Sequence, residues 1–426
     1  MSCPIVGFAG MTHLGINSAA ATAARGFDIV AFDVDESLVA QLSRRDLPVA
    51  EPGLEALITA HAARIAFTSD VAALGRCDVV YISADVPTDD EARSDLAPVH
   101  ALVALVSAQL HPDAVLVILC QVPPGFCRAL AQVPHDRLVY QVETLIFGRA
   151  VERALHPERF IVGCADPARP LPERYREVLR AFDCPVLPMR YESAELAKIS
   201  INFCLVASVS VANTLAEVSE AVGADWAEIV PALRLDKRIG PYSYLAPGLG
   251  ISGGNLERDL RTVLKIAAEK GTDSGVVTAW LENSAYRKDW CWRTLERRLL
   301  SRKSDARIAV LGLAYKENTH STKNSPALLL IKHLKGRDVR VHDPVVVAAT
   351  VVPFATACKA ALDCARGADA LVIATPWPEY RDVSIAELAR AMAGRILIDP
   401  YRMLDGKQAV SAGFEYHALG MPSLLP

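Results

Sequence analysis

The sequence predicts an α/β protein in which two doubly wound domains are joined by a long central helix. Three observations carry this expectation. The chain opens with an apolar strand, a glycine-bearing turn and an alanine-rich helix that leads into a second strand. The same strand-then-glycine pattern restarts just beyond residue 300. Between them runs an alanine-rich, apolar stretch from Tyr191 to about Val222, free of proline and internal glycine. A chain of 426 residues exceeds one ordinary core. We therefore expect a Rossmann-like dinucleotide domain over 1–190, a central helical region over 191–300 that carries dimerisation and active-site residues, and a second, smaller Rossmann-like domain over 301–426.

The elements follow in order. Pro4 to Ala9 reads as a strand, Gly10 to Gly15 as a turn, Ile16 to Arg25 as a helix ending at Gly26, and Ile29 to Phe32 as a strand. Apolar runs at Val79 to Ser83, Val115 to Leu119 and Phe160 to Val162 alternate with helical patterns, which extends the parallel sheet to about residue 190. In the C-terminal part, strands are expected at Ile308 to Leu311, Val339 to Val341, Leu371 to Ala374 and Ile396 to Ile398, with Gly312 opening a turn after the first. The basic stretch from Arg287 to Lys303 has the spacing of the wet face of an amphipathic helix followed by a linker.

Composition excludes several classes. A net charge of -4 offers no broad cationic field for nucleic acid or anionic lipid. No secretory leader is expected at Met1-Ser2-Cys3-Pro4, and the closest approach to a membrane span, Ile199 to Leu215, is interrupted by Asn202 and Asn213. Ten cysteines without CxxC pairs or metal-ligand spacing suit reduced thiols in cytoplasm, with neither a disulfide nor a metal site.

The first turn fills the three positions of G-x-G-x-x-G with Gly10, Thr12 and Gly15. With the middle glycine missing, the Cβ of Thr12 should push a pyrophosphate outward unless its hydroxyl donates a compensating hydrogen bond. Asp33, just past the second strand, can accept from a ribose 2′-hydroxyl and would repel a 2′-phosphate, so the cofactor is expected to be NAD. Lys198 and Asn202 lie one helical turn apart on the central helix, and a cation beside an amide donor can hold an oxyanion.

The loop from Pro247 to Asp259, with glycines at 248, 250, 253 and 254, resembles the active-site loop of the UDP-glucose/GDP-mannose dehydrogenase family, with Asn255 where that family carries its cysteine nucleophile. The resemblance runs in order along nearly the whole chain. It implies oxidation of a nucleotide-sugar alcohol, with UDP-sugars favoured, NAD in the N-terminal domain and a homodimer built around the central helix. It implies that Lys198 and Asn202 stabilise charge on the reacting oxygen and that Asp259 works with a water or with the lysine. Gln141 to Ala150 resembles a degraded family segment in which Glu143 survives and Phe147 replaces a second acid. Gln121, in Gln121-Val122-Pro123, stands near the cofactor where the family has a threonine. Arg238, in Arg238-Ile239-Gly240, matches an arginine that reaches a neighbouring subunit's sugar, while Tyr242, Tyr244 and Gly250 are further substrate candidates. Gly312-Leu313-Ala314-Tyr315-Lys316 resembles the family's Gly-Leu-Ala-Phe-Lys, which assigns Lys316 to substrate phosphate. Lys323 replaces an arginine near the cofactor, and His320 and Ser321 replace two aspartates.

The family removes two hydrides, and its thiolate traps the intermediate aldehyde. An asparagine amide lacks that nucleophilicity. Gln121, Phe147 and Asn255 alter the second half-reaction, whereas Lys198, Asn202 and Asp259 preserve the first. The resulting expectation is an atypical NAD-dependent nucleotide-sugar oxidoreductase performing one hydride transfer. Direct oxidation of a hydrated aldehyde, an epimerase that retains NAD, and a non-catalytic nucleotide-sugar-binding homologue are the alternatives. Cys120 and Cys204 are candidates for a displaced thiol.

Overall fold

The architecture is taken from a computed structural model that describes residues 3–89 and 93–426. The contacts group into two units, Met1–Ile201 and Asn202–Pro426, with the division falling inside the central helix.

In the first unit, β1 (Ile5–Ala9), β2 (Asp28–Phe32), β3 (Ile65–Thr68), β4 (Val79–Ile82), β5 (Val115–Ile118), β6 (Leu138–Gln141), β7 (Phe160–Cys164) and β8 (Val186–Arg190) form one sheet in the order β3-β2-β1-β4-β5-β6-β7-β8. The central strands are buried on both faces, which is why they read as continuous apolar runs such as VVYI and VLVI. One pairing corrects the expectation of an all-parallel sheet: β6 and β7 run antiparallel, with Tyr140 opposite Gly163. Helix α1 (His13–Ala24) covers one face, and its alanines lie close against the sheet. Helix α2 (Ala97–Ser107) packs on the other. The order reverses between β1 and β4, and open α/β sheets bind ligands beyond the strand ends at such a point.

Helix α3 (Tyr191–Val222) has the bounds that the glycine- and proline-free pattern predicts and stops at Gly223, where φ is +84°. Contrary to expectation, α3 is long and apolar enough, by length and composition, to cross a bilayer. Its polar interruptions serve packing instead: Asn213 is buried and accepts from Gly248 N at 2.8 Å.

The second unit continues through α4 (Trp226–Leu235), α5 (Asn255–Lys270) and α6 (Gly275–Lys288), and α7 (Pro326–His333) covers the C-terminal sheet. That sheet holds β9 (Ile308–Leu311), β10 (Val339–His342), β11 (Thr356–Ala357), β12 (Ala370–Ile373), β13 (Ile396–Ile398) and β14 (Glu415–His417), all parallel, in the order β11-β10-β9-β12-β13-β14. Both halves of the chain are therefore Rossmann-like. The basic stretch from Arg287 to Lys303 has the expected exposed face, with Thr294, Leu295 and Leu300 buried, Arg297 exposed and an exposed non-helical segment over 301–305; the departure is at Arg287. After α6 the chain continues as helix over Trp290–Leu295 and a π-helical turn over Glu296–Leu300. Arg287 is fully buried, 3.2 Å from Glu217 and 3.9 Å from Glu220 of α3. Arg298 pairs with Glu415 and Lys303 with Asp369. Carboxylates supplied by distant segments take up these charges, which is information that local spacing does not carry.

Candidate functional site

In the N-terminal unit, Gly10 turns the chain out of β1 with φ at +97°, and a Cβ there would strike Ala84. Gly10 N donates to Phe32 O at 2.9 Å and Met11 N donates to Asp33 Oδ2 at 2.6 Å, which ties the ends of β1 and β2 together. A Cβ on Gly15 would run into the carbonyl oxygen of Gly10, so glycine at 15 is what lets α1 approach the strand. Asp33 Oδ1 accepts from Asp35 N at 3.0 Å, and a carboxylate with about four lone-pair sites retains capacity for further donors.

Beyond the turn lies a cavity of about 330 Å³ whose lining includes Gly10, Thr12 and Asp33 together with the apolar Val34, Leu102 and Leu105. Helix α1 begins without a side-chain cap, so its first N–H groups and its dipole are available to an anion. A glycine cradle, an uncapped helix start, a carboxylate and an apolar wall fit pyrophosphate, ribose and base in turn, and so these residues fit NAD. Thr12 does not supply the compensating bond considered from sequence. Its hydroxyl donates to Ser83 O at 3.2 Å and accepts from Asp85 N at 3.0 Å, bracing the chain after β4.

The same unit contains an acid–base pair. Lys198 Nζ, on α3, donates to Glu143 Oε2 at 3.1 Å, and both side chains are largely buried. Glu143 Oε1 accepts from Leu145 N, which fixes the carboxylate on its own loop. Phe147, in place of the expected second acid, stacks on His13 at 4.1 Å. Gln121 is half-buried just past β5. Its neighbour Cys120 is completely buried, and burial pushes the thiol up to about 12. A thiol so protonated is a poor candidate for a displaced nucleophile.

In the second unit, Asn202 Nδ2 donates to Asp259 Oδ2 at 2.5 Å, and Asp259 Oδ1 lies 3.5 Å from Arg258 Nε. All three residues are buried. Lys198 and Asn202 thus share the helix that the sequence places them on, but each has its own carboxylate partner. Cys204 follows Asn202 by two positions, which turns it roughly 200° around the helix from that residue.

Asn255 is the first residue of α5 and is exposed, after Gly253, whose φ is +75°. Asn324 holds this turn, with Nδ2 donating to Gly253 O and Glu257 Oε2, each at 2.9 Å. Lys323 lends its carbonyl to Gly253 N at 2.9 Å, and its own N donates to Ser321 Oγ at 3.4 Å. Lys316 lies near the Tyr315 ring, and a Cβ on Gly253 would meet that ring at 3.1 Å. Gly250 has φ at +80° and no room for a side chain beside Ser284. The remaining candidates lie open: Tyr242 is 92% exposed, Tyr244 is exposed, and Arg238 pairs at the surface with Asp236. Glu51, His13, Asn324 and Ser284 escaped sequence reasoning, because only tertiary contacts give them roles. The nearest sequence signal was an acid, Glu51, followed directly by Pro52-Gly53.

A strand–glycine turn–helix with a trailing aspartate suits a dinucleotide, and the proteins this chain resembles make it an NAD-dependent oxidoreductase acting on CH–OH. Family models agree: 4–183 match the NAD binding domain, 192–285 the central domain and 309–406 the UDP binding domain of the UDP-glucose/GDP-mannose dehydrogenase family. The chain belongs to that family and takes a nucleotide-sugar substrate. It is 29% identical to a UDP-glucose 6-dehydrogenase of Pseudomonas aeruginosa, over 97% of this chain and 96% of that one. It is 28% identical to UDP-glucose 6-dehydrogenase TuaD of Bacillus subtilis, over 97% and 93%. A solved UDP-glucose dehydrogenase from Pyrobaculum islandicum superposes with a TM-score of 0.86 at 25% identity, covering 99% of this chain and 98% of the other.

Proposed function

We propose that this protein oxidises a UDP-sugar with NAD and releases a carbonyl product after one hydride transfer. The observation that supports this most is Asn255 at the start of α5. A cysteine there would be ionised by the helix N-terminus and would act as a nucleophile, whereas an amide does neither. In this reading Lys198 and Asn202 stabilise the alkoxide as the substrate hydroxyl loses its proton, Asp259 receives that proton through water or lysine, and Asn255 holds the carbonyl oxygen. NAD supplies the hydride acceptor. Asp33 and the turn bearing Gly10, Thr12 and Gly15 bind it, with Gln121 of the same unit, and Lys323 is kept as a cofactor residue on the family resemblance alone. Arg238, Tyr242, Tyr244, Gly250 and Lys316 serve the nucleotide sugar.

A homodimer is part of the proposal. Val211, Leu215, Val218 and Val222 are exposed at spacings that line one stripe of α3, an apolar face suited to a second copy. Ten free cysteines support a reducing, cytoplasmic setting.

The deciding experiment counts NADH formed per nucleotide sugar consumed across UDP-, GDP- and TDP-sugars. One NADH per sugar is expected. Two would mean acid formation, sugar turnover without NADH would mean epimerisation, and neither would mean a binding protein; each of these outcomes rejects the proposal. Asn255→Cys should raise the ratio toward two. Lys198→Met should lower kcat by about 10² to 10³, the usual loss when a preorganised charge partner of a developing oxyanion is removed.

A further inference from the structure

Glu51 is a fully buried carboxylate with three donors from two segments far from it in sequence. His13 Nε2 lies at 2.7 Å, Gly148 N at 2.7 Å and Ala150 N at 3.2 Å. A buried charge costs several kcal/mol unless it is paired and hydrogen-bonded, and here the charge-assisted bonds run to the loop that carries Glu143. His13 is the first residue of α1, at the helix start that fits a dinucleotide phosphate. The Phe147 ring stacks on the His13 imidazole with an interplanar angle of 28°. Gly148, at φ +84°, then turns the chain so that its N–H reaches Glu51.

We propose that Glu51 is a positioning residue which, with His13 and Phe147, latches the 143–150 loop to the start of α1. Dinucleotide binding at the turn thereby fixes the Glu143–Lys198 pair. The physical chain is short. A phosphate at the helix start immobilises His13, His13 and Glu51 hold each other, and Glu51 holds the two amides that follow Phe147. The loop's far end carries Glu143, bonded to Lys198 at 3.1 Å, and Arg153 Nε donates to Thr144 O at 2.7 Å to keep the segment between them in register. Phe147 thus gives up an acid and gains a ring contact with the dinucleotide turn. The proposal rests on the NAD-dependent reading of the site and adds two residues, His13 and Glu51, to its machinery.

Amide hydrogen exchange of the 143–150 segment, with and without saturating NAD, tests this in wild type, Glu51→Gln and Phe147→Ala. In wild type, NAD should slow exchange at Gly148 and Ala150 by about fivefold or more. In both variants those amides should exchange faster without NAD and respond to it by less than about twofold, with NAD affinity within about threefold of wild type. With a nucleotide sugar, kcat should fall about tenfold in both variants while KM for NAD holds, a split that a purely structural role would not produce. Should Glu51→Gln fail to fold, Phe147→Ala decides the matter, since that ring is 42% exposed. A wild-type segment that ignores NAD, or variants that keep the full NAD response, would overturn the latch. A normal exchange response in a protein that turns over no nucleotide sugar would instead reject the proposed activity and leave the latch standing.

Discussion

The two halves of the chain build the same turn and use it differently. Gly10 and Gly312 both end the first strand of a sheet in the left-handed region, at φ +97° and +96°. Each donates its N–H to the last residue of the neighbouring strand, and in each half the next amide donates at 2.6 Å to an aspartate, Asp33 or Asp343. From there they diverge. Asp343 also accepts from Ala314 N, Val345 N, Val346 N and Trp377 Nε1, so its lone pairs are committed to the protein. Among the described residues, Asp33 accepts one further bond, from Asp35 N. After Gly10 the chain enters α1 within three residues, whereas after Gly312 it runs through a long segment before α7 begins at Pro326. A dinucleotide needs an aspartate with spare acceptors and a helix start at the turn, and only the N-terminal turn supplies both.

Substitutions at the glycines should have the largest effects. Gly15→Ala drives a Cβ into the Gly10 carbonyl, and Gly312→Ala places one against Thr375 at a positive φ. Each should cost roughly 3 kcal/mol or more in urea denaturation. NAD binding should be lost only in Gly15→Ala. A folded Gly312→Ala protein that no longer bound NAD would break the division of labour between the turns.

The aspartates test the same division more finely. Asp33→Asn should weaken NAD roughly 10- to 100-fold, the worth of one charge-assisted hydrogen bond, with a smaller loss of stability. Asp343→Asn should lower stability by about 2 kcal/mol, because it disturbs several hydrogen bonds at once, most of them partly buried, and leave NAD affinity within about twofold. Calorimetric titration and thermal denaturation of the pair separate the two roles.

Much of this was legible in the sequence, and the reasons differ by level. The bounds of α3 were readable because proline and internal glycine are absent from Tyr191 to Val222 and Gly223 stops it. Most central strands were readable as apolar runs, but β6, the short buried run Leu138–Gln141, was not picked out. Edge strands were not: β11 is two exposed residues and β8 contains Pro188, which sheet edges tolerate. Strand direction at β6 and β7 was invisible because it depends on how the connection returns. At the site, helical periodicity put Lys198 and Asn202 on one face, but the carboxylates that hold them, Glu143 and Asp259, come from other segments. Arg287 marks the limit of charge as a guide. A cation in a basic run reads as solvated until Glu217 and Glu220 are found beside it.

The smallest predicted effect concerns a carboxylate of the C-terminal half that is only partly covered. Asp225 accepts from Arg402 Nη2 at 2.6 Å and Nη1 at 3.0 Å, and from Ala227 N at 2.9 Å as the cap of α4. The Arg402 guanidinium holds its carboxyl below the ordinary value of 3.8. A carboxyl lowered in the folded state stabilises that state above its unfolded value, and the stabilisation is lost as pH falls through the lower, folded one. Asp225→Asn keeps a capping oxygen but loses the charge, so it should cost about 1 kcal/mol at pH 7. Its stability difference from wild type should shrink steadily below pH 3.8. A gap that was missing at pH 7, as expected if Asp225 acted through the cap that Asn retains, or one that persisted undiminished into that acid range, would show that Arg402, despite its two short bonds, adds nothing electrostatic to this half of the molecule.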